Sequence, residues 1–302
     1  MMVSDRGYHS VVLVKQVPDT RAVTGEVMTK DGTMNRSALP AIFNPEDLHA
    51  LEMALQVREQ YGGKVTVLTM GPVQAAEVLR EALYRGADHV ILITDRKFAG
   101  ADTQATSYTL KCAIDKLGAY DMVFCGRQAI DGDTAQVGPQ VAEKLAIPQI
   151  TYTEAVIDLQ GDEIVVQRAF DLGIELVKCS LPCLLTVVAS ANRPRPASAR
   201  KRIEYKLAAT PFEYAAILKK RPEFESEAAL GQYLSERGLK IPVWTAADLD
   251  ADAGQLGLAG SPTQVYKINY VVLETAESKE IPPTPEGIQA LIQELIKEYV
   301  IG

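Results

Sequence analysis

Short apolar runs that alternate with helical segments are the feature that most constrains how this chain folds. Five runs rich in β-branched residues are almost continuously apolar, over residues 10–17, 64–70, 88–94, 121–126 and 184–190. Such runs are typical of strands buried on both faces of a parallel sheet. Helical patterns lie between them, over residues 45–60, 73–85, 103–117 and 134–146. The alternation predicts an α/β fold with a doubly wound, mostly parallel, Rossmann-like sheet.

Two local patterns refine this prediction. Asn44 is a candidate N-cap for the helix over 45–60, with Pro45 at its first position and Gly62-Gly63 as its end. Residues 155–159 and 163–170, joined through Gln160-Gly161-Asp162, predict an antiparallel hairpin appended to the sheet.

The character of the sequence changes after Asn192, where proline and arginine dominate. We place a boundary near residues 192–210, which gives an α/β domain over 1–210 and a C-terminal helical extension and arm over 211–302. Helices are expected within 212–238, interrupted at Arg221-Pro222, and over 284–300, with an irregular stretch over 244–267. The extension has too few apolar residues for its own core, so we expect it to pack on the main domain or on another chain.

The charge of the chain is unevenly distributed. Its 31 Lys and Arg against 39 Asp and Glu give a net charge of −8. The stretch Arg193–Lys206, here called the basic segment, carries six basic residues and one acid, so it is +5 and the remaining residues sum to −13. An acidic body argues against a nucleic-acid binder. The basic segment is either a docking surface or a solvated loop.

Other classes of protein are excluded by composition. The four cysteines are too few and scattered for a disulfide framework and have no second pair at metal-ligand spacing, so we expect free, mostly buried thiols. The first residues contain no secretory apolar region, and the longest apolar stretch, LPCLLTVVASA, is about half a membrane span. We therefore expect a cytoplasmic protein with no membrane span.

The sequence contains no recognisable set of catalytic residues. It therefore does not indicate whether the chain by itself is an enzyme. The three histidines fall in the N-terminal leader (His9), on a helix (His49) and at a strand start (His89), without a nucleophile or carboxylate at catalytic spacing. Redox chemistry, if any, must come from a bound cofactor.

Four loops lie at the carboxyl ends of predicted strands, where open α/β sheets bind ligands. They are KQVPDT (15–20), TMGP (69–72), FAGADTQATS (98–107) and CGRQAIDGDTAQVGP (125–139). None contains the phosphate-binding patterns GxxxxGK[ST] or GxGxxG.

Loop 125–139 is the most informative of the four. Gly132 permits a positive φ and close approach of a ligand to the main chain. Thr134 and the following N–H groups are expected at a helix N-terminus that favours a phosphate, and Gln136 is placed to bond a base edge. Asp131 and Asp133 repel phosphate, so we expect one of them to hold ribose hydroxyls or to cap the helix.

Loop 98–107 has a similar design, with Asp102 as a candidate N-cap followed by hydroxyls at Thr103, Thr106 and Ser107. Two such loops at one sheet edge predict a long phosphate-bearing ligand such as a nucleotide or dinucleotide. An ordinary capped helix after an Asp-Gly turn explains the pattern of loop 125–139 equally well. Loop 98–107, taken alone, is more often just the start of a helix.

An ordered set of longer segments resembles the β subunit of electron transfer flavoprotein. The segments are VLVKQVPDT, NPEDLHALEMAL, VTVLTMGP, LYRGADHVILI, FCGRQAIDGDTAQVGPQVAEKL, RAFDLGIELVKCSLPCLLTV, NRPRP and WTAADLD with GLAGSPTQV. They cover most of residues 10–210 and again 243–267.

The resemblance implies a heterodimer whose α subunit carries FAD and whose β subunit, with a fold like the adenine-nucleotide hydrolases, holds AMP or a second, electron-bifurcating FAD. The implied nucleotide contacts are Val14, Lys15, Gln16, Asn44, Met70, Gly71, Cys125, Gly126, Asp131, Gly132, Asp133, Thr134, Ala135, Gln136 and Val137.

The segment DGDT, together with FAGADTQATSYTL, is similar to the bifurcating group. A glycine at 132 leaves room for a pyrophosphate, and Asp102, Thr103 and Thr106 would line the region toward the flavin. NADH would be the electron donor. One electron would go to the α-subunit FAD and an acyl-CoA or hydroxyacid dehydrogenase, the other to ferredoxin or flavodoxin.

Two alternatives remain open. In the first, AMP is a structural ligand and the chain is a scaffold between an acyl-CoA-type dehydrogenase and a quinone reductase. In the second, the chain is a nucleotide-binding regulatory protein with the same fold.

The resemblance also gives the basic segment a role, because the family docks its dehydrogenases there, commonly through a leucine. The docking candidates in this chain are Arg195, Arg200, Lys201 and Arg202, and no leucine precedes Leu207.

Overall fold

A nine-stranded, mostly parallel sheet forms the centre of the molecule. The computed structural model describes residues 7–19, 40–263, 279–298, 300 and 301. The strands of the sheet are β1 (Tyr8–Val14), β4 (Gly63–Met70), β5 (His89–Ile93), β6 (Met122–Gly126), β7 (Gln149–Gln160), β8 (Glu163–Phe170), β9 (Gly173–Ser180), β10 (Cys183–Val187) and β11 (Val243–Trp244). Two short strands, β2 (Gln16–Pro18) and β3 (Ala41–Phe43), pair separately.

The strand order is β11-β5-β4-β1-β6-β10-β7-β8-β9, and the pairs from β11 to β7 are parallel. The predicted doubly wound α/β fold is therefore confirmed. The predicted hairpin is also confirmed, since β7 and β8 pair antiparallel. The third antiparallel strand, β9, was not predicted. It is an exposed edge strand, so it lacks the continuous apolar run that marks a buried one.

Helices cover both faces of the sheet. They are α1 (Pro45–Tyr61), α2 (Ala76–Arg85), α3 (Thr103–Leu117) and α4 (Val137–Leu145). The core on one face contains Leu51 and Leu55 of α1 and Leu79 of α2, all fully buried. The core on the other face contains Ile114 of α3 and Val141 of α4. Burying both faces explains why the strands of the parallel part are continuously apolar.

The C-terminal part adds α5 (Ala199–Glu204), α6 (Tyr214–Leu218), α7 (Glu227–Glu236) and α8 (Pro285–Lys297). Leu230 and Leu234 of α7 are buried in the same core as α1 and α2, and β11 extends the main sheet. Residues 211–244 therefore pack on the α/β domain. No residue of α8 is buried within the described chain, so its association with an α subunit or another partner stays a prediction.

Two local expectations were wrong. α4 begins at Val137 rather than at 134, because residues 134–136 continue the preceding loop. His9 is not in a leader but in β1, where it is buried and its ring contacts Ala119 O (2.8 Å) and Thr66 Oγ1 (2.9 Å). The expectations for residues 1–6, Thr20 and 264–267 concern positions outside the described residues.

Asp47, in the first turn of α1, ties two strands to that helix. Its Oδ2 accepts from Lys15 N at 2.8 Å and its Oδ1 accepts from Gly126 N at 3.1 Å. Burial raises the pKa of Asp47 from 3.8 to about 7, although these N–H donors favour the charged form. The carboxyl group thus joins the ends of β1 and β6 to α1.

Asp47 makes the stability of the fold depend on pH. Its pKa is higher in the folded state, so between about pH 4 and pH 7 the native protein holds a proton that the unfolded chain releases. The free energy of unfolding therefore falls as pH rises through this window, and an Asp47→Asn variant loses the effect. Urea denaturation of both proteins across the window measures the difference, expected to be at least about 1 kcal/mol. Parallel pH profiles would contradict the prediction.

Gly126 is expected to tolerate no side chain. A Cβ at this position would lie 2.6 Å from Asp47 Oδ1 and 2.6 Å from the backbone carbon of Glu46. We expect Gly126→Ala to lower the free energy of unfolding by about 1–3 kcal/mol. Gly132→Ala is the matched control, because no heavy atom lies within 4 Å of a Cβ there, and a change below about 0.5 kcal/mol is expected. Equal effects of the two variants in chemical denaturation would show that the contact with Asp47 does not matter.

Candidate nucleotide site

The carboxyl ends of β1, β4 and β6 meet at one edge of the sheet. Leu13 pairs with Cys125, and Val14 pairs with Thr69, whose hydroxyl donates to Val14 O at 2.8 Å. This register places Val14-Lys15, Met70-Gly71 and Cys125-Gly126 side by side. The sequence predicted this grouping, because carboxyl ends of parallel strands share an edge.

Asn44 fixes loop 125–139 rather than capping α1. Its side chain makes no capping hydrogen bond. Instead, Asn44 Nδ2 donates to Gln128 O at 2.9 Å, and its Oδ1 accepts from Ile130 N at 3.2 Å. A buried amide that satisfies two backbone groups of another segment is a specific fastener, because leaving those groups unpaired is costly.

Glu46 adds a second connection between α1 and this loop. Its carboxylate accepts from Arg127 Nη2 at 3.0 Å and from Gln128 N at 3.2 Å. The carboxylate and its hydrogen bond raise the pKa of the Arg127 guanidinium. The first turn of α1 thus holds the start of loop 125–139 through three side chains.

The two acidic residues of the loop have partners inside the chain. Lys15 Nζ lies 2.7 Å from Asp131 Oδ1, and Asp133 Oδ1 accepts from Gln128 Nε2 at 2.9 Å. Neither carboxylate caps α4, whose N-cap position is Gln136. Of the two roles expected for one of these acids, capping the helix was therefore wrong, whereas holding ribose hydroxyls stays a prediction.

The backbone between Asp133 and Val137 presents donors to solvent. Asp133 and Ala135 have positive φ angles of 49° and 52°, whereas Gly132, the residue expected to do so, does not. Within the described chain, no acceptor is found for the N–H groups of Thr134, Ala135 and Gln136. Consecutive N–H groups around left-handed residues form a concave anion-binding nest, here just before the N-terminus of α4.

Loop 98–107 lies beside this nest, but its acidic residue, Asp102, has a structural role. Asp102 Oδ1 caps α3 by accepting from Gln104 N and Ala105 N, and its Oδ2 accepts from the Thr263 hydroxyl at 2.7 Å. Burial alone would raise the pKa of Asp102, but these donors hold it below its usual value. Thr106 is in the first turn of α3, where its N–H donates to Asp102 O.

One side-chain contact joins the two loops. Thr103 Oγ1 donates to Gln136 Oε1 at 3.1 Å. The side chain of Gln16, in β2, donates to Gln74 O at 3.3 Å. The structure therefore brings Lys15, Asn44, Thr103 and loop 125–139 together, while the side chains of Asp102 and Gln16 are engaged elsewhere.

The thiol next to the site is chemically quiet. Burial of Cys125 raises the pKa of its thiol well above the usual range, so it carries no thiolate near neutral pH. All four cysteines are free, and all except the half-buried Cys179 are buried. Across the described ranges, no group of His, Cys, Asp and Glu residues is arranged to hold a metal ion.

The basic segment lies against α1 and α2. Arg195 pairs with Glu52 and Glu59 of α1, whereas Arg200 and Arg202 on α5 are exposed and Lys201 is half-buried. Ile203, beside them, is 77% exposed. Arg195 is thus placed differently from the other three docking candidates.

Sequence reasoning missed two residues that hold the site, Glu46 and Asp47, and gave Arg127 and Gln128 no role of their own within loop 125–139. Neither acid was predicted to contact that loop. The available signal was their position, because the first turn of a helix that follows Asn-Pro at the edge of a parallel sheet faces the neighbouring strand ends.

No helix in the described part of the chain is both long and apolar enough to cross a membrane.

Comparison with known proteins shows the family of the chain. The family described as "Electron transfer flavoprotein domain" matches residues 31–211. The chain is 43% identical to "Electron transfer flavoprotein subunit beta" of Thermoanaerobacterium thermosaccharolyticum, over 96% of this chain and 99% of that protein.

Two further relatives carry more specific names. The chain is 40% identical to "Acryloyl-CoA reductase electron transfer subunit gamma" of Anaerotignum propionicum, over 96% of this chain and 98% of that protein. It is also 40% identical to "Caffeyl-CoA reductase-Etf complex subunit CarD" of Acetobacterium woodii, over 85% of this chain and 86% of that protein. The family match and these similarities over most of each chain lead to one assignment: the chain belongs to the electron transfer flavoprotein family, as a β subunit.

Proposed function

We propose that this chain binds the adenine-nucleotide end of an electron-bifurcating FAD and pairs with an electron transfer flavoprotein α subunit that carries a second FAD. When bound, this flavin accepts hydride from NADH and divides the electrons between two routes. One route is the α-subunit FAD and an acyl-CoA or hydroxyacid dehydrogenase. The other is ferredoxin or flavodoxin, in the cytoplasm.

The observation that carries this proposal is the run of unpaired N–H groups at Thr134, Ala135 and Gln136 beside an open Gly132. The N–H groups supply donors for a phosphate without any side-chain charge. Nothing lies within 4 Å of a Cβ at Gly132, so the chain leaves space where a pyrophosphate continues past the first phosphate. The residues present therefore fit a dinucleotide such as FAD.

The side chains around the nest position the loop rather than react. Lys15 places a cation at the edge and holds Asp131, which keeps that carboxylate from standing unpaired beside a phosphate. Asn44, Glu46 and Asp47 fix the loop through backbone hydrogen bonds, so its N–H groups are arranged before the ligand binds.

The names of the relatives support the choice of partner. Two of them are components of acryloyl-CoA reductase and caffeyl-CoA reductase systems, whose substrates are unsaturated acyl-CoA thioesters. We infer by analogy that an acyl-CoA dehydrogenase is the partner of this chain.

A structural AMP is the second candidate for the site. Its favouring observation is that the three consecutive N–H groups of Thr134, Ala135 and Gln136 suffice for a single phosphate. The chain would then only support the α-subunit FAD and transfer electrons between an acyl-CoA-type dehydrogenase and a quinone reductase.

The docking surface is proposed on α5. Arg200 and Arg202 are exposed on both sides of Lys201, and Ile203 adds an exposed apolar side chain. A cationic rim around an apolar contact is suited to an acidic partner surface, because charge guides the encounter while apolar burial holds the complex. We propose that the exposed side chain of Ile203 supplies the apolar contact for which the family commonly uses a leucine.

Gly132→Val tests the assignment of the nucleotide. The φ of Gly132 is not in the left-handed region and the space around it is open, so the variant should fold normally. We expect the wild-type heterodimer to release two FAD and the variant only the α-subunit FAD, with Gly132→Ala as the graded control. Retention of both flavins by Gly132→Val would show that the site is misplaced. One FAD and one AMP in the wild-type protein would overturn the bifurcating assignment.

Charge reversal tests the docking surface. We expect replacement of Arg200, Lys201 and Arg202 by Glu to weaken binding of an acyl-CoA dehydrogenase at least about tenfold at low salt, with a smaller effect at high salt. Lys219 and Lys220, both exposed on another part of the chain, provide a matched reversal that should leave binding unchanged. Unchanged binding at low salt after reversal of Arg200, Lys201 and Arg202 would leave the basic segment as a solvated loop.

A further inference from the structure

Four of the five N–H donors of the Arg195 guanidinium bind carboxylates inside the chain. Its Nε and Nη2 donate to the two oxygens of Glu52 at 2.8 and 3.0 Å, and its Nη1 and Nη2 donate to those of Glu59 at 2.5 and 3.1 Å. Arg195 N also donates to Glu52 Oε2 at 3.0 Å. Two bidentate pairs on one guanidinium are the strongest geometry that this group makes.

The surroundings of this ion pair make it costly to open. The Glu52 side chain is only 6% exposed. Hydrogen bonds and ion pairing with the two carboxylates raise the pKa of Arg195, and Arg195 holds the pKa of Glu59 below its usual value. If Arg195 turned to a partner protein, a buried carboxylate would lose its counter-ion, which is strongly unfavourable.

The backbone around Arg195 is attached at the same place. Asn192 Nδ2 donates to His49 O of α1 at 3.0 Å, and Ser198 N donates to Tyr84 O of α2 at 2.9 Å. Arg85 of α2 donates to Arg195 O. Residues 192–198 are therefore a fixed base on α1 and α2, whereas α5 beyond them carries the exposed cations.

We propose that Arg195 is a positioning residue that fixes the basic segment on α1, and that it does not contact the partner. This inference rests on the proposed docking function of α5. It has a structural consequence, because the first turn of the same helix, α1, holds loop 125–139. One rigid helix thus sets the position of a docked dehydrogenase relative to the nucleotide site.

The test uses the complete heterodimer with its flavins and compares Arg195→Gln, Arg195→Lys and Arg202→Gln. The first readout is amide hydrogen exchange of residues 193–206, which needs no partner. We expect both Arg195 variants to speed exchange there at least about fivefold, since lysine cannot bridge two carboxylates. Arg202→Gln removes only the contact of its guanidinium with the Tyr84 ring, 5.7 Å away, so it should have a smaller effect. Unchanged exchange in Arg195→Gln would overturn the proposal.

The second readout is the apparent KM for an acyl-CoA dehydrogenase as a function of salt. A residue that contacts the partner lowers the salt dependence when its charge is removed, so Arg202→Gln should flatten the profile. Arg195→Gln and Arg195→Lys should raise KM about equally and keep the slope of the wild type. Rescue by lysine, or a flattened slope for Arg195→Gln, would show that Arg195 acts by direct contact.

Two controls separate the possible failures. If Arg195→Gln does not assemble with its flavins, Glu59→Gln is the substitute variant, because it removes one carboxylate partner of Arg195 that is partly exposed. This variant should also speed exchange of residues 193–206, and normal exchange would count against the proposal. If exchange changes as expected but no variant, Arg202→Gln included, alters KM, the docking function of α5 is wrong while the anchoring role of Arg195 stands.

Discussion

The buried carboxyl group of Asp47 is the interaction on which the candidate site depends. The ladder between β1 and β6 ends at the pair Leu13–Cys125, so another interaction must set the relative positions of Lys15 and Gly126. Asp47 does so by accepting from Lys15 N and Gly126 N at once, and it extends from the first turn of α1. Glu46 and Asn44 then fix the start of loop 125–139, because their side chains accept from its backbone N–H groups. The nest of N–H groups follows from this fixed start.

Helix α1 has a second role at its other end. Glu52 and Glu59 hold Arg195, and His49 holds Asn192, so the basic segment is fastened to the helix that organises the nucleotide edge. Electron transfer proteins need a defined separation between cofactor and partner. A single helix that contacts both regions is a simple way to define that separation. The charged residues of α1 make these contacts, whereas its apolar face packs on the sheet.

Much of the fold was predictable from the sequence, because strands that are buried on both faces are continuously apolar. The apolar runs marked β1, β4, β5, β6 and β10, and the strand-end rule grouped Val14, Met70 and Cys125 correctly. The edge strand β9 has no continuous apolar run that would have predicted it, and its apolar residues Ile174 and Leu176 are exposed.

The detail of the site was less predictable, because it depends on contacts between distant residues. Asn44 looked like a helix cap, but its side chain is taken by loop 125–139, more than eighty residues away. Gly132 looked like the left-handed position, yet Asp133 and Ala135 adopt it. Arg195 looked like one more surface cation, and only its partners, 143 and 136 residues away, show otherwise. Local sequence patterns carry no information on such pairs.

The most direct measurement of the central claim is amide hydrogen exchange at Thr134, Ala135 and Gln136 in the heterodimer, before and after its nucleotides are removed. These three N–H groups have no acceptor in the described chain, so a bound phosphate is what can protect them. We expect exchange at these amides to be at least about tenfold slower when the nucleotide is bound. Equal exchange in the loaded and stripped proteins would contradict it.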